Sequence, residues 1–180
     1  ESTSRGVVFT ALSAMETIGM KPAQTTAIVQ GFGKVGRGTA KFLHEAGVKV
    51  VAVADVFGGL YNSNGIDIPR LEQHVDQTGK VVGFPGADAV EASGILFLDA
   101  DLVVPAAIEG VLTGANADQV KAKLVVEGAN GPTTPHADKV LNEKGILVVP
   151  DILANAGGVV VSYFEWVQSL ASYWWTEDQV

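Results

Sequence analysis

The sequence predicts an α/β fold in which a mostly parallel, doubly wound sheet carries helices on both faces. Three observations carry that expectation. Short runs of Val, Ile and Ala alternate with segments whose apolar residues recur every three or four positions. The runs lack polar alternation, so they suit strands covered on both sides. A glycine-patterned turn lies between the first run and the helix that follows it.

Residues 3–19 read as a helix, with Val7, Leu12, Met15 and Ile18 near helical spacing, stopped by Gly19 and Pro22. Thr25 to Gln30 is a β-branched apolar run that reads as a buried strand. Lys34 to Ala46 returns to helical spacing and ends at Gly47, and Val48 to Ala54 is a second strand. Strand, helix and strand within about 30 residues make a right-handed βαβ unit, whose strands are parallel. The stretch from Gly58 to Gly65 is turn-rich, and Pro69 to Gln77 suits a short helix. Leu102 to Pro105 is a further strand, with a helix expected to start at Ala106. Lys123 to Glu127 and Ile146 to Val149 repeat the strand pattern. Between them Ala137 to Asn142 reads as a helix, with Thr134 as N-cap and Pro135 in the first turn. The last helix spans about Val159 to Trp174, and its stripe of Tyr163, Trp166, Leu170 and Trp174 suits a core or an interface.

The turn Gly31-Phe32-Gly33-Lys34-Val35-Gly36 has the glycine spacing of a dinucleotide-binding loop and makes the fold Rossmann-like. Gly31 permits the bend off the strand, Gly33 lets the main chain approach a diphosphate, and Gly36 lets helix and sheet pack closely. Amides at the helix start then face the phosphates. Asp55 ends the next strand at the position where a carboxylate accepts from the adenosine ribose. That favours NAD over NADP, because a 2′-phosphate would be repelled. The other reading of Asp55 is a cap on the turn at Gly58-Gly59.

Small and polar residues follow the later strands, where such a sheet opens its crevice: Pro105-Ala106-Ala107, Glu127 to Pro132 and Pro150 to Gly158. Asn130 and Asn155 each offer the donor and acceptor that a carboxamide needs, or they organise turns. Ser162 faces the same crevice or is a packing choice.

With 20 acidic and 12 basic side chains, the net charge of -8 argues against nucleic-acid binding. The chain has no cysteine, which excludes disulfides and thiolate chemistry and fits a reducing, cytoplasmic setting. No apolar window is long enough for a membrane helix. His44, His74 and His136 are isolated and read as exposed side chains, so no metal is expected. The 180 residues suit one dinucleotide-binding domain, and the start at Glu1-Ser2-Thr3-Ser4-Arg5 reads as a chain cut from something longer.

Taken together, Gln30 to Gly36, Val53 to Asp55, Gly59 to Asn62 with Gly65 to Asp67, Val126 to Thr134 and Pro150 to Gly158 resemble the glutamate dehydrogenases over nearly the whole chain. The resemblance implies a Rossmann variant with one strand reversed, serving as the coenzyme domain of a two-domain, hexameric enzyme. That enzyme deaminates L-glutamate oxidatively to 2-oxoglutarate and ammonia, with NAD or NADP as hydride acceptor. It also implies site residues. Thr3 enters the nicotinamide region, and Phe32 to Val35, with Gln30, Gly31 and Gly36 beside them, form the diphosphate loop. Asp55 meets the adenosine ribose, and Ala106 and Ala107 wall the coenzyme. Asn130 and Asn155 contact ribose and nicotinamide, and Val159 and Ser162 contact substrate.

The catalytic lysine and aspartate of the family belong to its other domain, so no catalytic residue is expected here, and this chain alone should bind coenzyme without turnover. The family usually has Ala-Thr-Gly where this chain has Ser2-Thr3-Ser4, which leaves the backbone path there open. Two alternatives stand beside this reading: the coenzyme domain of a leucine, phenylalanine or valine dehydrogenase, and a nucleotide-sensing module without chemistry. Val159 and Ser162 argue against the sensor, which has no use for substrate contacts.

Overall fold

The computed structural model describes residues 1–180. Its strands are β1 (Thr26–Gln30), β2 (Lys49–Asp55), β3 (Gly58–Tyr61), β4 (Asp88–Val90), β5 (Leu102–Pro105), β6 (Leu124–Val126) and β7 (Leu147–Val149). Its helices are α1 (Ser2–Thr17), α2 (Lys34–Glu45), α3 (Ile68–Thr78), α4 (Pro135–Glu143), α5 (Asp151–Ala154) and α6 (Gly157–Ala171). The strands form one sheet in the order β4-β3-β2-β1-β5-β6-β7. Every pairing among β2, β1, β5, β6 and β7 is parallel, whereas β3 runs antiparallel to both β2 and β4. One reversed strand in an otherwise parallel sheet is the arrangement that the resemblance implies.

Neighbouring residues on each central strand serve two separate cores, as the two-fold strand period requires. Ala27, Val29, Leu102, Val104, Leu124 and Val126 point to the face covered by α1, α2 and α3. Ile28, Val103 and Val125 point to the other face, against Ile95, Leu96, Leu112, Ala137 and Leu141. Both faces are therefore dry, which explains the unbroken apolar runs. Arg37 of α2 forks onto both Asp76 carboxylate oxygens on α3, at 2.6 and 3.0 Å, and reaches Glu72 at 2.9 Å. These bonds hold the guanidinium above its ordinary pKa and the Asp76 carboxyl below its own.

Several expectations are corrected. Gly58 to Tyr61 is a strand and not a plain turn, because a tight bend at Val56-Phe57 folds it back on β2. No helix starts at Ala106; β5 is followed by loops up to the short 3-10 turn at Ala117–Gln119. The strand Asp88–Val90 has no sequence signal, being two exposed residues and one half-buried one at the sheet edge. His74 is half-buried, with Nε2 3.3 Å from the Val82 carbonyl, and is not a free surface side chain. The last helix ends at Ala171. Its Val159, Tyr163, Trp166 and Leu170 are exposed, as are Tyr173 and Trp174 beyond it, so this stripe is no part of the core. The inward contacts are Phe164 edge-on to Trp175 and the buried Gln168, whose Oε1 accepts from Trp175 N.

Where Ser2-Thr3-Ser4 left the backbone path open, α1 is continuous from Ser2. Buried Ser4 donates its hydroxyl to the Val35 carbonyl at 3.1 Å and the Lys34 carbonyl at 3.3 Å. A single side chain thus ties α1 to the first turn of α2.

Candidate functional site

The chain leaves β1 toward β2 on one side and later returns to β5 on the other, so the crevice of a doubly wound sheet opens above the ends of these three strands. Main-chain bonds extend past the strand ends and set its rim. Gly31 N donates to Ala54 O at 2.8 Å, and Ala106 N donates to Gln30 O at 2.7 Å. Gly31 adopts φ +96°, and a Cβ there would sit 2.7 Å from the Ala106 carbonyl oxygen. Gly36 lies against the Gly31 carbonyl with no room for a side chain. The first and third glycines therefore build the turn.

Gly33 differs: a Cβ on it would meet no protein atom within 4 Å. It is the N-cap of the 12-residue α2, and no side chain caps that end. The amides of Lys34, Val35 and Gly36 have no acceptor within the protein. They carry the positive end of the helix dipole, equivalent to about half a charge. Lys34 is exposed and joins no ion pair. Open space, unpaired amides and a free ammonium at one helix end fit a diphosphate.

Two connected clefts meet over Ala106, Ala107 and Ile108. The first, about 590 Å³, is lined by Gln30, Gly31, Phe32, Gly33, Asp55, Val56 and Phe57, with Ala92 and Ser93 opposite. The second, about 1120 Å³, is lined by Thr3, Val35, Asn130, Asn155, Val159 and Ser162, with Glu109 and Gly128 among its further walls. Of the site residues that the resemblance implies, only Lys34 and Gly36 line neither cleft. Val56, Phe57, Ser93 and Ile108 were not anticipated. They come from a hairpin tip, a 3-10 turn and a loop whose positions depend on tertiary pairing.

Asp55 takes the capping part and lines the first cleft. Oδ1 accepts from Phe57 N at 2.8 Å and Gly58 N at 3.2 Å, which caps the hairpin. Oδ2 accepts from Val81 N at 2.7 Å and keeps one further acceptor position at the cleft wall. Asn130 and Asn155 bond to each other, with Asn155 Nδ2 donating to Asn130 Oδ1 at 2.6 Å. The Ser162 hydroxyl donates to Gly158 O at 2.9 Å and presents its oxygen as an acceptor. His44, His74 and His136 sit on three different helices, and no three His, Asp or Glu side chains gather to hold a metal ion. No helix is long and apolar enough to cross a membrane.

Residues 1–180 match the glutamate/leucine/phenylalanine/valine dehydrogenase family. The glutamate dehydrogenase of Thermotoga maritima is 53% identical over 181 residues, covering 100% of this chain and 44% of the relative. The catabolic NAD-specific glutamate dehydrogenase RocG of Bacillus subtilis is 48% identical, covering 99% of this chain and 42% of the relative. Among solved structures, a hetero-hexameric glutamate dehydrogenase of Thermus thermophilus in a Leu-bound form superposes with a TM-score of 0.91. It is 35% identical, over 99% of this chain and 42% of that one. The chain spans less than half the length of the relatives it matches.

Proposed function

The chain belongs to the glutamate/leucine/phenylalanine/valine dehydrogenase family, and on that premise we propose that it is the coenzyme domain of a two-domain glutamate dehydrogenase. The reaction is the oxidative deamination of L-glutamate to 2-oxoglutarate and ammonia. The glutamate dehydrogenases similar to it over their own coenzyme-sized share support glutamate over a branched or aromatic substrate. The observation that carries the coenzyme reading is the uncapped start of α2 under the open face of Gly33.

Nicotinamide supplies hydride acceptance when bound, and the residues of this chain bind and orient it. Amides 34–36 and Lys34 hold the diphosphate, helped by the loop Gln30 to Gly33. Asp55 accepts from a ribose hydroxyl and repels a 2′-phosphate, so NAD is the better coenzyme and NADP the poorer one. Thr3, Ala106, Ala107, Asn130 and Asn155 enclose the nicotinamide half. Val159 and Ser162 face the amino-acid substrate. The base that takes the substrate proton belongs to the other domain, and the whole enzyme assembles as a hexamer in the cytoplasm.

Calorimetric titration of the 180-residue chain tests this reading. NADH binds at one site per chain, NADPH binds more weakly, and glutamate with NAD yields no NADH. Absence of NADH binding contradicts the coenzyme assignment, and turnover by the chain alone contradicts the division of labour between domains.

A further inference from the structure

We propose that Glu127 and Asp151 are positioning residues that set the nicotinamide-side wall of the cleft, an inference that rests on the coenzyme reading above. Glu127 follows β6 and is 6% exposed, yet it lines neither cleft. Its Oε2 accepts from Asp151 N at 2.8 Å, and its own N–H donates to Val149 O at 3.1 Å. Asp151 returns the contact, with Oδ2 accepting from Gly131 N at 2.7 Å. The Asn155–Asn130 bond closes the same two segments at the cleft. The segment after β6 and the segment after β7 are thus clasped by three side-chain hydrogen bonds in succession.

Burying a carboxylate that touches only a main-chain amide is expensive, and a shorter neutral side chain would cost less. What the carboxylate adds is reach and a strong, charge-assisted bond to a single amide. That amide begins the turn that carries Asn155, so the clasp fixes the two Asn side chains against each other. The diphosphate loop and Asp55 are built on β1, β2 and α2 and share none of these bonds.

The test compares NADH with ADP, which carries the adenosine and diphosphate but no nicotinamide. In the 180-residue chain, Glu127→Ala weakens NADH about tenfold, the scale of one charge-assisted bond, and leaves ADP within about twofold. Glu127→Gln keeps an oxygen acceptor and restores NADH binding to within about threefold of the parent. Asp151→Ala, at a half-buried position, gives the same selective loss and serves where Glu127→Ala does not fold. Equal losses for NADH and ADP, or unchanged NADH binding in both Ala variants, overturn the clasp while leaving the nucleotide site standing. A parent chain that binds neither ligand overturns the site reading and the clasp with it.

Discussion

Asn155 Nδ2 donates to Asn130 Oδ1 at 2.6 Å, joining the turn after β7 to the turn after β6 at the mouth of the second cleft. The bond consumes one donor and one acceptor. It leaves Asn130 Nδ2 and Asn155 Oδ1, a donor and an acceptor, without a partner in the protein. A carboxamide presents the complementary pair.

Asn155→Asp replaces that donor with a carboxylate facing the Asn130 carbonyl oxygen, two acceptors opposed, and adds a negative charge to the cleft that the proposed reading gives to an anionic coenzyme. NADH affinity is expected to fall about tenfold or more, with little change in thermal midpoint because the pair is near the surface. Fluorescence titration of NADH checks this, and an unchanged dissociation constant would sink the assignment of the pair to nicotinamide.

Asp55 caps the hairpin, and the proposed coenzyme reading gives it a second part at the ribose. Asp55→Ser removes acceptors for Phe57, Gly58 and Val81 and is expected to cost about 1–2 kcal/mol in urea denaturation. It also removes the charge that opposes a 2′-phosphate. The ratio of NADPH to NADH affinity should therefore rise, read from parallel titrations. A ratio that stays fixed would confine Asp55 to the hairpin.

At the opposite end of the central strands, where β1 and β5 begin, burial alone would raise the Asp101 carboxyl. The Thr26 amide and hydroxyl, each at 3.0 Å, and the Lys123 ammonium outweigh it and hold the group below its ordinary value of 3.8. A depressed carboxyl stabilises the fold fully above that ordinary value and ceases to do so as pH falls through the folded-state value. Asp101→Asn should thus cost about 1 kcal/mol at neutral pH, discounted for partial exposure, and less at an acidic pH below the ordinary value. Urea midpoints at the two pH values decide it; an equal cost at both would contradict the electrostatic account.

The reach of the sequence followed the range of the contacts. The Gly31 to Gly36 turn and the Thr134 cap with Pro135 are local and were read directly from spacing. Asp55 left two readings open, and its hydrogen bonds satisfy the capping one without using its last acceptor position. Gly58-Gly59 looked like turn residues because the pairing that makes them a strand comes from β2 and β4. Ser93 and Ile108 carry no local mark of a cleft and reach it only when β5 docks beside β1. The aromatic period of α6 was correctly helical, but periodicity shows which residues share a face and not what covers that face.

Gly33 and Gly36 differ in what surrounds them: open space at the first, the Gly31 carbonyl at the second. Gly36→Ala forces a methyl onto the Gly31 carbonyl and is expected to cost about 3 kcal/mol or more. Gly33→Ala meets only open space, so its stability should lie within about 1 kcal/mol of the parent, the range for a changed N-cap. The decisive measurement is NADH titration of Gly33→Ala alongside its thermal melt. A normal melt with binding lost is the predicted result; a normal melt with parental NADH affinity would mean that no diphosphate lies over this helix start.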